Sequence, residues 1–197
     1  MSYRETEKDI SLSVRKTADQ IVPAGGFVSE LTNWTIIPSD GDYDNSLAFN
    51  FANGVFSAPC SGKYALSFET TATVQPGYFP TNATAFVLHK TDSVTQLTTN
   101  VRTVFLAQAG KGTNELGTAT MATDIFLNAN DRLQLLVINF SQVLSITISG
   151  ATTSSFLTTQ LSIRFLRLAK QENFLCSTPV ALQNAHLVSK QARVVPA

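Results

Sequence analysis

From Gly62 to Glu69 apolar and polar side chains alternate strictly, with Tyr64, Leu66 and Phe68 on one side and Lys63, Ser67 and Glu69 on the other. A period of two is what a strand with one buried face demands, and the pattern predicts a strand over 64–74. The alternation recurs at Leu47, Phe49 and Phe51; at Leu144, Ile146 and Ile148; and at Leu161, Ile163 and Phe165, where Arg164 lies on the other face. It recurs again at Leu133, Leu135 and Val137, whose opposite face carries Leu136, Ile138 and Phe140. Further strands are predicted over 27–31, 34–37, 86–88, 101–107 and 119–127. The count is eight to ten short strands with no helix between them.

Turn residues punctuate these runs. Asn53-Gly54 suits a two-residue hairpin turn. Pro59 to Gly62 forms a corner before the clearest strand, and Asn128-Ala129-Asn130-Asp131 turns the chain into the strand at Leu133. The spacers are too short and too rich in Thr, Gly and Asn for crossover helices, so no parallel βαβ unit can be assembled. An antiparallel sandwich or barrel remains, with the thirteen Phe residues expected in its core.

Composition adds constraints on partners. Charged residues make up 14% of the 197 residues, against about 25% in a typical soluble protein. Fourteen basic side chains balance fourteen acidic ones, so nothing attracts a polyanion over a distance, and nucleic acid is disfavoured. Residues 133–163 hold no Asp, Glu, Lys or Arg. A weakly polar run of that length points to burial against other subunits. No window is long and apolar enough for a membrane span, and the polar start MSYRETEKDI is not a signal peptide.

The domain reading is an N-terminal attachment arm over 1–20, one sandwich domain over 21–169, and a C-terminal extension over 170–197 that docks on the domain or on a neighbour. The extension keeps Phe174, Leu175, Val180, Leu182, Leu187 and Val188, too apolar for a flexible linker. Of the two cysteines, Cys60 sits in the corner and Cys176 in the extension. Their spacing does not imply a bond, and two unpaired thiols are expected.

Residues with catalytic chemistry are scattered. His89 and His186 lack zinc-ligand spacing, and Gly110-Lys111-Gly112-Thr113 lacks the frame of a phosphate loop. No serine sits in a nucleophile elbow, so the chain reads as no enzyme and needs no cofactor. Asp40, Asp42 and Asp44 on one loop are weak candidates for a calcium site, though the frame of the helical calcium motif is missing, and solvated turn residues are the plainer account.

The run Asn53-Gly54-Val55-Phe56-Ser57-Ala58-Pro59-Cys60-Ser61-Gly62-Lys63-Tyr64 resembles the segment joining two strands in the globular heads of complement first-component q and the related tumour necrosis factor superfamily. Tyr43-Asp44 upstream is similar to the Tyr-Asp of those heads. Ile125-Phe126-Leu127, Asn130-Asp131 and Leu133-Leu135 resemble their apolar strand, Gly-Asp turn and apolar strand, with Asn130 in place of Gly. Residues 155–166 resemble their closing strand, without its phenylalanine-serine-glycine signature.

The resemblance covers roughly 20–168 and implies an all-β, antiparallel jelly-roll sandwich that forms a homotrimer. The trimer contact is expected on Leu136, Ile138, Phe140, Leu144, Ile146 and Ile148. Ligand contact is then expected on loops carrying Tyr78, Phe79, Lys111 and Asn114. Without an export signal or collagen-like stem, the leading expectation is a virion protein: a spike or fibre head, or a capsid-associated jelly roll. Its termini would hold other virion or capsid proteins, and its loops would meet a host surface receptor or glycan. The alternative is a secreted, complement-head-like or lectin-like ligand-binding module.

Overall fold

A computed structural model describes residues 10–74, 84–109, 115–150 and 158–168. Within them the strands are β1 (Ser11–Lys16), β2 (Gln20–Val22), β3 (Val28–Glu30), β4 (Trp34–Thr35), β5 (Tyr43–Asp44), β6 (Phe49–Asn50), β7 (Val55–Ser57) and β8 (Gly62–Val74). They continue as β9 (Thr84–Thr91), β10 (Thr98–Phe105), β11 (Ala107–Ala109), β12 (Glu115–Leu127), β13 (Arg132–Asn139), β14 (Ile146–Ile148) and β15 (Gln160–Leu168). Several of the early strands are only two or three residues long, too short to show a period, which is why the pattern undercounts them. The strands β8 and β12, in contrast, run for 13 residues each.

Two sheets pack face to face as an antiparallel jelly-roll sandwich. The larger runs β11-β12-β8-β15-β1-β4, with β14 bridging β8 and β2, and β5 on β1; the smaller runs β10-β9-β13-β7-β6, with β3 on β13. Strand β1 pairs along its length with β15, and Leu12 and Val14 are fully buried. Sheet structure therefore begins inside the stretch read as a leader.

Between the sheets Tyr64, Leu66 and Phe68 meet Phe56, Phe86, Leu133, Leu135 and Val137 in one apolar core. Edge-to-face contacts join Tyr64 to Phe56 (ring centroids 5.7 Å apart) and to Phe165 (5.1 Å), an arrangement favoured by the ring quadrupoles. The core does not take every Phe: Phe27, Phe105, Phe126 and Phe140 are exposed.

Two turn motifs meet at one end of the core. The Ala58 amide donates to the Asp131 carbonyl (2.8 Å), the Asn130 amide to the Ala58 carbonyl (2.7 Å), and the Ala129 amide to Ser61 Oγ (2.9 Å). Asn130 has a φ of +68°, a region open to Gly and, among other residues, most readily to Asn. That is the physical reason Asn can stand where the resembled heads carry Gly. The turn at Asn53-Gly54 differs from expectation. Because Phe49 pairs with Phe56 and Asn50 with Val55, residues 51–54 form a four-residue loop. Gly54 also has φ +68°, and a Cβ there would lie 2.6 Å from Trp34 Nε1 and 2.7 Å from the Leu31 carbonyl oxygen.

Candidate functional site

The register of the larger sheet collects small side chains on its outward face. Ser13 lies opposite Ser162, Ser162 opposite Ser67, and Ser67 opposite Ala122, so one row of three serines and an alanine crosses β1, β15, β8 and β12. On one side the next row is Arg15, Gln160, Glu69 and Thr120; on the other it is Ser11, Arg164, Ala65 and Asp124. These small side chains, with Ala65 of the adjoining row, leave a shallow depression of about 380 Å³ lined in part by Tyr43, Ala65, Ser67, Ala122, Ser162 and Arg164.

Charge around this depression is unevenly satisfied. Arg15 donates to both Asp42 carboxylate oxygens, at 2.5 and 3.1 Å, and Lys63 pairs with Asp124 at 2.6 Å. Glu69 and Arg164 stand on opposite sides of the serine row, both exposed, and neither makes an ion pair among the described residues. Exposed Tyr43, Phe126 and Leu166 add apolar surface on the same sheet.

Two further ionisable groups are fully buried. Asp131 accepts from Lys90 Nζ (2.9 Å) and from the amides of Ser93 and Asn128 (2.9 Å each). Burial alone would raise its carboxyl pKa, but these hydrogen bonds hold it below the usual carboxylate range. Lys16 Nζ donates to Gln20 Oε1 at 2.8 Å and to the Thr32 carbonyl. Desolvation brings its pKa down to about 8, against a partial upward pull from Asp19. Both groups sit in structural hydrogen-bond networks.

The residues expected at a trimer contact divide. Leu136, Ile138 and Phe140 do share the outward side of the smaller sheet, respectively buried, half-buried and exposed. Ile146 and Ile148 do not: β14 lies between β8 and β2, and both side chains are in the chain's own core. Leu144 packs against the same core. The 133–163 run is free of charge in good part because β13 and β14 are flanked by strands on both sides.

The weak calcium candidates are engaged otherwise. Asp42 holds Arg15 and also accepts from the Ile37 amide (3.2 Å). Asp44 Oδ1 accepts from the Ser46 amide (2.9 Å), Ser46 Oγ (2.5 Å) and the Leu47 amide (3.0 Å). The Asp40 side chain lies outside the described residues. Among those residues no group of three or more His, Cys, Asp or Glu is placed to hold a metal ion.

Tyr78, Phe79, Lys111 and Asn114 also lie outside the described residues. The stems of their two loops are nevertheless neighbours, since Val74 pairs with Glu115. Cys60 is buried and disulfide-bonded, which corrects the expectation of a free thiol.

The serine row escaped the sequence reading. Small residues at 13, 67, 122 and 162 look like ordinary strand positions until the register lines them up.

No protein-family model and no curated protein matches the chain. Among solved structures, the chain is similar to that of Eiger TNF from S. frugiperda, with a TM-score of 0.57 at 12% identity over 85% of this chain and 98% of that one. At that identity the likeness shows the fold: this chain has a TNF-like jelly roll.

Proposed function

We propose that the chain is a non-enzymatic assembly module, a homotrimeric jelly-roll head whose subunits meet through the outward face of the larger sheet. The observation that carries this reading is the serine row with Glu69 and Arg164 on its two sides, neither in an ion pair among the described residues. Small side chains let a neighbour approach closely, and separated opposite charges on one face can be answered by those of an identical copy. The expected contact on 136–148 gives way to this face, because half of its residues are already used inside the chain.

Val74 and Glu115, which border the segments 75–83 and 110–114, are paired, and we assign host receptor or glycan contact to Tyr78, Phe79, Lys111 and Asn114 in those segments. Low charge and a compact β-sandwich suit a spike, fibre head or capsid-associated protein of a virion. The disulfide at Cys60 favours a second reading, a secreted ligand-binding module, because such bonds persist mainly in oxidising surroundings.

Replacing exposed, outward-facing Ser67 with Arg places a long cation in the low row without touching the core. Sedimentation of the full chain should shift from trimer to monomer mass for Ser67→Arg, with unchanged circular dichroism. An unaltered trimer mass would show that the subunits meet elsewhere, and a monomeric parent chain would overturn the trimer itself.

A further inference from the structure

The smaller sheet also has an outward face, and its centre is dry. Ala85, Val87 and Leu136 are 2%, 4% and 7% exposed, yet they alternate with Phe86, Leu88, Leu135 and Val137 and stand outside the core that those residues form. Around them, Val28, Phe105 and Phe140 remain about half exposed. The register sets these residues in adjoining rows: Val28, Ile138, Ala85 and Phe105 in one, Glu30, Leu136, Val87 and Thr103 in the next. Side chains on an uncovered sheet face stand perpendicular to it and keep their tips in water. A dry centre with a wet rim is the mark of a narrow cover.

We propose that this face is the seat of the chain's own C-terminal segment, with Val180 and Leu182 over Leu136, Val87 and Ala85, and with 187–188 reaching toward the Phe105 and Phe140 rim. Three observations select this occupant. Cys60 is disulfide-bonded, and Cys176 is the only other cysteine in the sequence. Cys60 is two residues beyond Ala58, whose amide is bonded to Asp131 just before β13, so the disulfide tethers its partner segment near the Arg132 end of that strand. From Arg132 to Ile138 the face is about 20 Å long, a distance that six extended residues after Cys176 span. The alternation of Val180 and Leu182 with polar or small neighbours gives that segment one apolar edge. The inference does not rest on the trimer reading, since the cover comes from the same chain.

Thr103 is exposed and lies opposite Val87, at the margin of the dry centre. With Thr103→benzoylphenylalanine in the full oxidised chain, irradiation and peptide mapping should give an intrachain link to residues 177–190. The link should fall several-fold when Leu182→Asp is added, with circular dichroism unchanged. Links confined to 75–83, links only between two copies, or a yield indifferent to Leu182→Asp would each overturn the proposal. Mixing isotopically light and heavy chains separates intrachain from interchain links, so a failed trimer and a failed tail contact give different results.

Discussion

Asp131 and Lys16 are both withdrawn from solvent, but the chain treats the two charges differently. Asp131 faces Lys90 and two backbone amides, and its ionised form is favoured in spite of burial. Lys16 faces two neutral acceptors, Gln20 Oε1 and the Thr32 carbonyl. Its nearest acid, Asp19, also accepts from the Gly150 amide (2.8 Å). Burial therefore wins at Lys16, and the ammonium titrates at about 8. A buried charge is held by an opposite charge with hydrogen bonds on every remaining position; neutral acceptors alone leave much of the desolvation cost standing.

Breaking the better-satisfied site should have the largest effect. Asp131→Ala removes the partner of Lys90 and orphans the Ser93 and Asn128 amides, at a cost of ~3–5 kcal/mol. Urea unfolding at pH 7 measures it, and a loss below ~1 kcal/mol would mean that the node is ornamental. The carboxyl pKa is depressed in the folded chain. Its contribution is thus complete above the unfolded carboxylate pKa and is lost as pH falls through the folded value. The acid limb of the stability curve should flatten in the variant.

Lys16 should show the opposite limb. Its folded pKa, about 8, lies below the unfolded value of 10.5. Between the two the unfolded chain binds the extra proton, so stability rises with pH. Below 8 the ammonium is charged in both states and the burial cost is fully present. The stability of the parent relative to Lys16→Met should climb from pH 8 to 10.5 by at most ~3 kcal/mol. A difference that stays flat across that window would show that Nζ is better solvated than its burial indicates.

What was legible beforehand follows the same physics. Tyr64, Leu66 and Phe68 announced a buried face because a period of two is local. Asn130-Asp131 was visible as a turn, but its bonding to Ala58 and Lys90 was not, since partners so far apart in the chain leave no local trace. Lys16 read as part of a charged leader because nothing near it in sequence reveals that β15 and β4 flank its strand. The serine row was hidden for a related reason: Ser13, Ser67, Ala122 and Ser162 become one surface only through three registers. Ile146 and Ile148 were placed at a subunit contact because apolar alternation does not say whether the covering layer belongs to the same chain.

The smallest effect sharpens the comparison by testing a neutral group in the Asp131 neighbourhood. Tyr64 Oη donates to the Cys60 carbonyl at 2.7 Å and accepts from its amide at 3.3 Å, tying the corner to the core strand. Tyr64→Phe keeps the ring contacts with Phe56 and Phe165 and removes only these bonds, so the cost at pH 7 should be about 1 kcal/mol. Burial raises the phenol pKa to about 12, with the Cys60 bond acting in the opposite direction. Above pH 10 the unfolded chain therefore loses a proton that the folded chain keeps, and stability falls with pH. Thermal unfolding from pH 9 to 11 should show the parent losing its small advantage over Tyr64→Phe, while Lys16 gains in the lower part of the same range. If Tyr64→Phe left the alkaline slope unchanged, the phenol would have to be open to solvent, and its bonds to Cys60 would add nothing to the pH dependence.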